Sequence, residues 1–158
     1  MKEEFSIDEF DRKILAALQE DAGLSNAEVA ERVGLSLTPC WRRIRNLEEA
    51  GVIRRRVALL DRRKLNVGVT VFVSVRTNQH NQEWLERFAR AVDGIPEVVE
   101  FYRMAGDTDY LLRVVVPDIA AYDGVYKRLI EKIDLTDVSS SFAMEELKYT
   151  TAVPLTYL

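Results

Sequence analysis

Residues 26–51 read NAEVAERVGLSLTPCWRRIRNLEEAG, and this stretch decides the fold. Ser25 or Asn26 stands where an N-cap belongs, and Glu28 falls in the first turn, where a carboxylate complements the helix dipole. The spacing predicts a helix from Asn26 to Val33, stopped by Gly34, the residue type that most readily takes a left-handed backbone. A longer helix begins near Ser36 to Thr38 and runs to about Ala50, before Gly51. Pro39 falls in its first turn, where a missing N–H costs nothing. Eight helical residues, a short Gly34-Leu35-Ser36 turn and a longer helix make a helix-turn-helix.

Within the longer helix, Cys40, Ile44 and Leu47 are spaced by four and three and should face a core. Thr38, Arg42, Arg43, Arg45 and Asn46 are left largely outward. Arg bonds guanine bidentately or clamps phosphate, and Asn pairs with adenine, so a helix offering these groups suits a major groove. Ser36, Pro39 and Trp41 complete the candidate DNA-binding set. Trp41 reads more as a packing residue than as a base contact and receives no readout role. The bland alternative is a helical bundle with a basic exposed helix.

Working outward, Ile7, Phe10, Ile14, Leu15 and Leu18 recur at helical spacing and predict an upstream helix from about Asp8 to Glu20, stopped by Gly23. Downstream, Val52 to Leu60 is β-favouring and carries Arg54, Arg55 and Arg56. It reads as a short strand or hairpin whose arginines either reach phosphates or are plain surface charge. Asp61 to Asn66 is polar and reads as a hinge. The expected organisation is residues 1–60 as a helix-turn-helix domain, 61–66 as hinge and 67–158 as a second domain.

Charge supports this division. The 158-residue chain has a net charge of −4. Residues 36–66, however, hold nine basic and three acidic residues, a balance of +6, between flanks of −5 each. A positive block inside an acidic chain is the footprint of a localised phosphate-binding surface, or of a solvated face paired with neighbouring acids. No apolar run approaches ~18 residues, so no membrane span is expected. Met1 to Phe5 carries Lys2, Glu3 and Glu4 and offers no secretory signal. Cys40 is the single cysteine, which excludes an internal disulfide and favours a reducing cytoplasm.

The remaining chain predicts a strand over Val67–Thr77, a helix over Glu83–Val92, strands over Val98–Met104 and Tyr110–Val116, a helix over Ile119–Ile130 and a last strand from Val138 to about Met144. Strand, helix, strand, strand, helix, strand is the ferredoxin-like βαββαβ unit, so the fold class is α+β. Helices cover only one face of such a sheet. Self-association hides the other, and a homodimer suits two-fold-related DNA half-sites.

Catalytic, metal and cofactor signatures are scarce. His80 is alone in a polar loop, no Cys/His cluster suggests zinc, and no glycine-rich phosphate loop occurs. Asp107 and Asp109, two apart in a turn, read as plain hairpin chemistry, as paired acid/base carboxylates, or as a grip on the charged ends of an amino acid. A small ferredoxin-like enzyme with a helical appendage would use Asp107, Asp109, Arg103 and Tyr110. A third reading is a sensing module whose helices bind protein, against which the Arg42, Arg43 and Arg45 face argues.

Ser36-Leu37-Thr38-Pro39-Cys40, Arg42-Arg43-Ile44, Leu47-Glu48 and Gly51-Val52-Ile53 resemble the recognition region of the Lrp/AsnC (leucine-responsive/asparagine-responsive) regulators. Gly106-Asp107-Thr108-Asp109-Tyr110-Leu111-Leu112, Val116-Pro117-Asp118 and Met144-Glu145-Glu146 resemble the same family, so the likeness spans about Ile7 to Thr151. It implies a winged-helix-like reader of double-stranded DNA joined to a ferredoxin-like effector domain, in dimers and often octamers. It also implies an amino-acid effector in clefts where effector domains of neighbouring dimers meet. Carried onto this chain, Met104, Gly106, Asp107, Thr108, Asp109 and Tyr110 should line that cleft with Ser139, Ser140 and Ser141. Leu37 departs from a frequent proline, and Thr108 from a common aromatic, which bears on the pocket's shape. Thr38-Pro39-Cys40-Trp41, Phe101-Tyr102-Arg103-Met104, Tyr126-Lys127-Arg128 and Ser140-Ser141-Phe142 further resemble a sub-branch that responds to L-cysteine and controls its desulfuration.

Overall fold

A computed structural model describes residues 6–158; the reading of Met1 to Phe5 lies outside them. The chain forms two compact units, one of residues up to Leu59 with Lys148–Leu158, the other of Leu60–Leu147. The first unit holds three helices, α1 (Glu9–Glu20), α2 (Asn26–Val33) and α3 (Leu37–Glu49). Asp8 caps α1 and Ser25 caps α2, each through a reciprocal capping box with the residue three positions on. Gly34 closes α2 at φ 73°, and the N–H of Leu35 returns to the carbonyl of Ala30 at 2.9 Å. Its positive φ is the reason the turn needs glycine. Ile14, Leu15, Leu18, Val29, Ala30, Val33, Cys40, Ile44 and Leu47 form the core between the helices.

The expected strand over Val52–Leu60 is absent; the segment runs as coil. A strand needs a ladder partner for its N–H and C=O groups, and the unit supplies none. Ile53 alone is drawn in, its N–H bonded to the Leu47 carbonyl at 3.0 Å and its side chain against the core. The C-terminal segment, expected with the second domain, instead belongs to the first unit. Gln19 on α1 exchanges two hydrogen bonds with Val153 (2.7 and 3.2 Å), and Leu155 packs against the helical core.

The second unit contains β1 (Val69–Arg76), α4 (Gln82–Asp93), β2 (Val98–Arg103), β3 (Tyr110–Val116), α5 (Ile119–Lys132) and β4 (Asp137–Phe142). All pairings are antiparallel, in the order β2-β3-β1-β4, which is the ferredoxin-like arrangement expected from the element order. Val71, Val73 and Val75 alternate onto the helix-covered face, opposite Val114, Leu112 and Tyr110 on β3. Trp84, Phe88, Phe101 and Tyr110 stack there with ring centroids 5.1–5.6 Å apart. The residues between them, Phe72 on β1 and Tyr102 on β2, lie exposed on the other face. The expected hinge is wound into a turn: the Asp61 carboxylate accepts from the N–H of Arg63 and Lys64, and Arg62 bonds Thr70 and Glu146.

Candidate nucleic-acid interface and ligand loop

The helical stripe of α3 opposite the core presents Thr38, Trp41, Arg42 and Arg45, with Ser36 at its cap position and Asn46 beside it, all exposed. Pro39 is half-buried. Ser36 takes the extended backbone of an N-cap without a side-chain bond to the helix, so its hydroxyl is available outward. Arg45 pairs with Glu49 one turn on (2.9 Å), and Arg56 pairs with Glu48 (3.3 Å). Among the described residues Arg42, Arg54 and Arg55 form no ion pair. Positive charge without an ion-pair partner therefore lies on α3 and in the coil that follows it, and also at Arg63 and Lys64 in the turn beyond.

Two residues depart from expectation. Arg43 is not free on the surface: its Nη1 donates to Asp8 Oδ2 at 2.7 Å and Asp11 Oδ1 at 2.8 Å, and its guanidinium lies over the Phe10 ring. Its position on α3 is rotated toward α1, and the α1 cap supplies two carboxylates there. Hydrogen bonding to Asp11 and Asp8 raises the guanidinium's pKa. The backbone N–H of Asp11 holds the Asp8 carboxyl below its usual value of 3.8; burial opposes it, and the hydrogen bond and charge of Arg43 add to the lowering. Trp41, read from sequence as a packing residue, is 49% exposed. Cys40 is buried, and burial pushes its thiol pKa up, so it stays a protonated core residue.

In the second unit, Met104 to Asp109 forms the β2–β3 turn. The Met104 N–H donates to the Asp109 carbonyl (2.8 Å), and Gly106 sits at φ 124°. Met104, Gly106 and Asp107 are exposed and Thr108 is half-buried. Asp109 is engaged inside the unit: its Oδ2 accepts the Thr77 N–H at 2.8 Å, and its own N–H donates to the Val75 carbonyl at 3.1 Å. Tyr110 is 5% exposed and belongs to the aromatic core, because its register opposite Val75 turns it toward the helices. The three serines do not share a face. Ser140, opposite Val73, turns inward and bonds the Tyr122 hydroxyl, whereas Ser139 and Ser141 are exposed on the open face. β1 separates β4 from β3, so roughly 10 Å of sheet lies between Ser139 and the β3 hairpin arm. Within one chain the turn and the serines therefore do not close around a common ligand. Among the described residues no three His, Cys, Asp or Glu side chains group as a metal site requires, and no helix is long and apolar enough to cross a membrane.

Sequence reasoning missed the internal use of Arg43. Its signal was the pair Asp8 and Asp11 at the start of α1, two carboxylates three residues apart that an arginine on α3 can reach.

Two family descriptions match the chain: a winged helix-turn-helix DNA-binding domain over residues 7–54, and an Lrp/AsnC ligand binding domain over residues 70–153. The DNA-binding transcriptional activator DecR of Escherichia coli K12 is 50% identical over 150 residues, covering 94% of this chain and 99% of that protein. An AsnC family transcriptional regulator from Agrobacterium tumefaciens is similar in structure, with a TM-score of 0.93 and 67% identity over 96% of this chain and 99% of the other. A transcriptional regulator from Neisseria meningitidis, solved as an L-Met complex, has a TM-score of 0.91 and 38% identity over 96% of this chain and 99% of its own.

Proposed function

This chain belongs to the Lrp/AsnC family of transcriptional regulators, and from that premise we propose that it reads double-stranded DNA through α3 and adjusts that reading to a small amino acid. Its relatives are regulators, and the alternative of a ferredoxin-like enzyme is set aside on that ground. The observation that carries the DNA reading is the outward stripe of α3, where Thr38, Arg42, Arg45 and Asn46 are exposed immediately after a helix-turn-helix turn. Arg42 and Asn46 are suited to purine edges, and Ser36, Arg54 and Arg55 to phosphates. We leave Arg43 out of this contact set, since its Nη1 donates to both Asp8 and Asp11 and holds the guanidinium toward α1.

For the effector, the exposed turn residues Met104, Gly106, Asp107 and Thr108 supply a polar rim, with Asp107 positioned for an ammonium group. Asp109 and Tyr110 shape this rim from beneath without lining it. A ligand here takes its remaining walls from a second copy of the chain, which agrees with an effector cleft between dimers. The L-Met complex of the Neisseria regulator supports an amino acid as the ligand class, and the sub-branch resemblance makes L-cysteine the first to try. The working assembly is a homodimer that builds to an octamer in the cytoplasm, with residues 1–60 as reader and 67–147 as sensor.

The test is footprinting on the upstream region of the protein's own gene across a salt series, paired with thermal-shift measurements against the common amino acids. The reading requires a salt-sensitive protected site and a melting temperature raised by at least one amino acid. An unprotected region at every salt concentration overturns the DNA part, and indifference to all amino acids overturns the sensor part. Coupling between the two sites should fall near ~1–3 kcal/mol, seen as a ligand-dependent change in DNA affinity.

A further inference from the structure

The helix that faces DNA in this reading is not uniformly polar. Leu37 is 53% exposed and Trp41 is 49% exposed. Neither completes the core of its unit, which closes over Cys40, Ile44 and Leu47 on the far side of α3. At about 100° per residue, Leu37 and Trp41 stand one turn apart along one flank of the outward stripe. Thr38 and Arg45 run along its middle, and Arg42 and Asn46 along the other flank. The stripe thus has an apolar edge and a hydrogen-bonding edge, separated by roughly the width of one side chain. A large indole beside two arginines, within a block of balance +6, is an apolar surface that electrostatics delivers to a polyanion.

In the major groove of DNA the only apolar group on any base edge is the C5-methyl of thymine. We propose that Leu37 and Trp41 form an apolar flank of α3 that selects thymine by contact with this methyl group, while Arg42 and Asn46 on the other flank read purine edges. The inference rests on α3 being the DNA-reading helix and adds what its apolar side reads. It gives the exposed indole a role that packing does not.

Selection from a random duplex library with the full-length protein yields a preferred site. Each thymine of that site is then replaced singly by deoxyuridine, which removes the methyl and leaves base pairing intact. The wild-type protein should lose roughly fourfold in affinity at a thymine in each half-site, the worth of one buried methyl group. Trp41→Ala should bind the thymine and deoxyuridine duplexes equally at one such position, and Leu37→Ala at a neighbouring one. Both variants should keep the wild-type salt dependence, because phosphate contacts are untouched. The inference is overturned if wild type tolerates deoxyuridine at every position, as it would if Leu37 and Trp41 served a protein partner. It is equally overturned if both variants keep the wild-type discrimination. Failure of the selection to enrich any sequence overturns the DNA reading itself, a distinct result from a preferred site that is blind to the methyl.

Discussion

At the residue scale, the arginines of α3 show that charge type and charge use are different properties. Arg42 and Arg43 are neighbours in sequence, yet one projects outward and the other bridges α1 and α3 through Asp8 and Asp11. Asp11 is only 6% exposed, so removing Arg43 strips a buried carboxylate of a charged donor. Arg43→Ala should therefore destabilise the helix-turn-helix by about 1–3 kcal/mol, the usual cost of an unpaired buried acceptor, measured by denaturant unfolding. Arg42→Ala should leave stability within ~0.5 kcal/mol and weaken DNA binding instead. If Arg43→Ala lowered DNA affinity with unchanged stability, the bridge would be dispensable and Arg43 would return to the contact set. The same bridge has a pH signature. The Asp8 carboxyl is held below 3.8 in the folded chain by the Asp11 N–H and Arg43, so its ionised form favours folding. That contribution is complete above 3.8 and is lost as pH falls through the depressed folded value. Asp8→Asn keeps a capping side chain and removes the charge. Its melting temperature should lie below wild type at neutral pH, and the gap should close as pH drops below 3.8.

At the element scale, the β2–β3 turn separates residues that build a site from residues that hold it up. Asp109 fixes the end of β1 through the Thr77 N–H, while Asp107 makes no such bond. Asp109→Ala should destabilise the sensor unit by roughly 1–3 kcal/mol, since the buried residue Thr77 loses its N–H partner. Asp107→Asn should leave the unliganded melting temperature unchanged and shrink its rise with added amino acid. Equal loss of stability in both variants would show that the turn is structural throughout. Elements of this kind were legible in sequence wherever periodicity and caps agree. α2 falls between a Ser25 capping box and Gly34, and β3 is bounded by Tyr110 and Pro117. The Val52–Leu60 segment was not legible, because β propensity describes a side-chain preference while a strand also requires a neighbour to bond. Of the candidate sites, the outward face of α3 followed from spacing. The inward turn of Tyr110 follows from the alternation Tyr110, Leu112, Val114, Val116, whereas that of Ser140 rests on its pairing with Val73, since the polar run Ser139-Ser140-Ser141 carries no alternation of its own.

At the scale of the whole molecule, the chain crosses between its two units twice, after Leu59 and after Leu147. The second crossing returns Lys148–Leu158 to the reader, where two hydrogen bonds join Gln19 and Val153, Leu155 packs on the helical core and Arg12 Nη2 donates to the Leu158 carbonyl at 2.7 Å. The segment emerging from the last sensor strand is thus also a brace on α1. The hydrogen bonds of the brace go to Arg12 and Gln19 on α1, so in the proposed reading its effect on DNA binding passes through α1 and the packing of α3 against it. Gln19→Ala removes both side-chain bonds to Val153, each worth about 0.5–1.5 kcal/mol, and Leu155→Ala empties a place beside the core. Amide exchange on α1 should accelerate in both variants, while exchange in β1 and β3, whose ladder lies wholly in the other unit, should keep its wild-type rate. DNA affinity should fall with the loss of α1 protection, and restoring the apolar contact with Leu155→Met should recover most of it. Unchanged exchange on α1 would mean that the reader stands without its brace, and the C-terminal segment would then be a passenger on the helical surface.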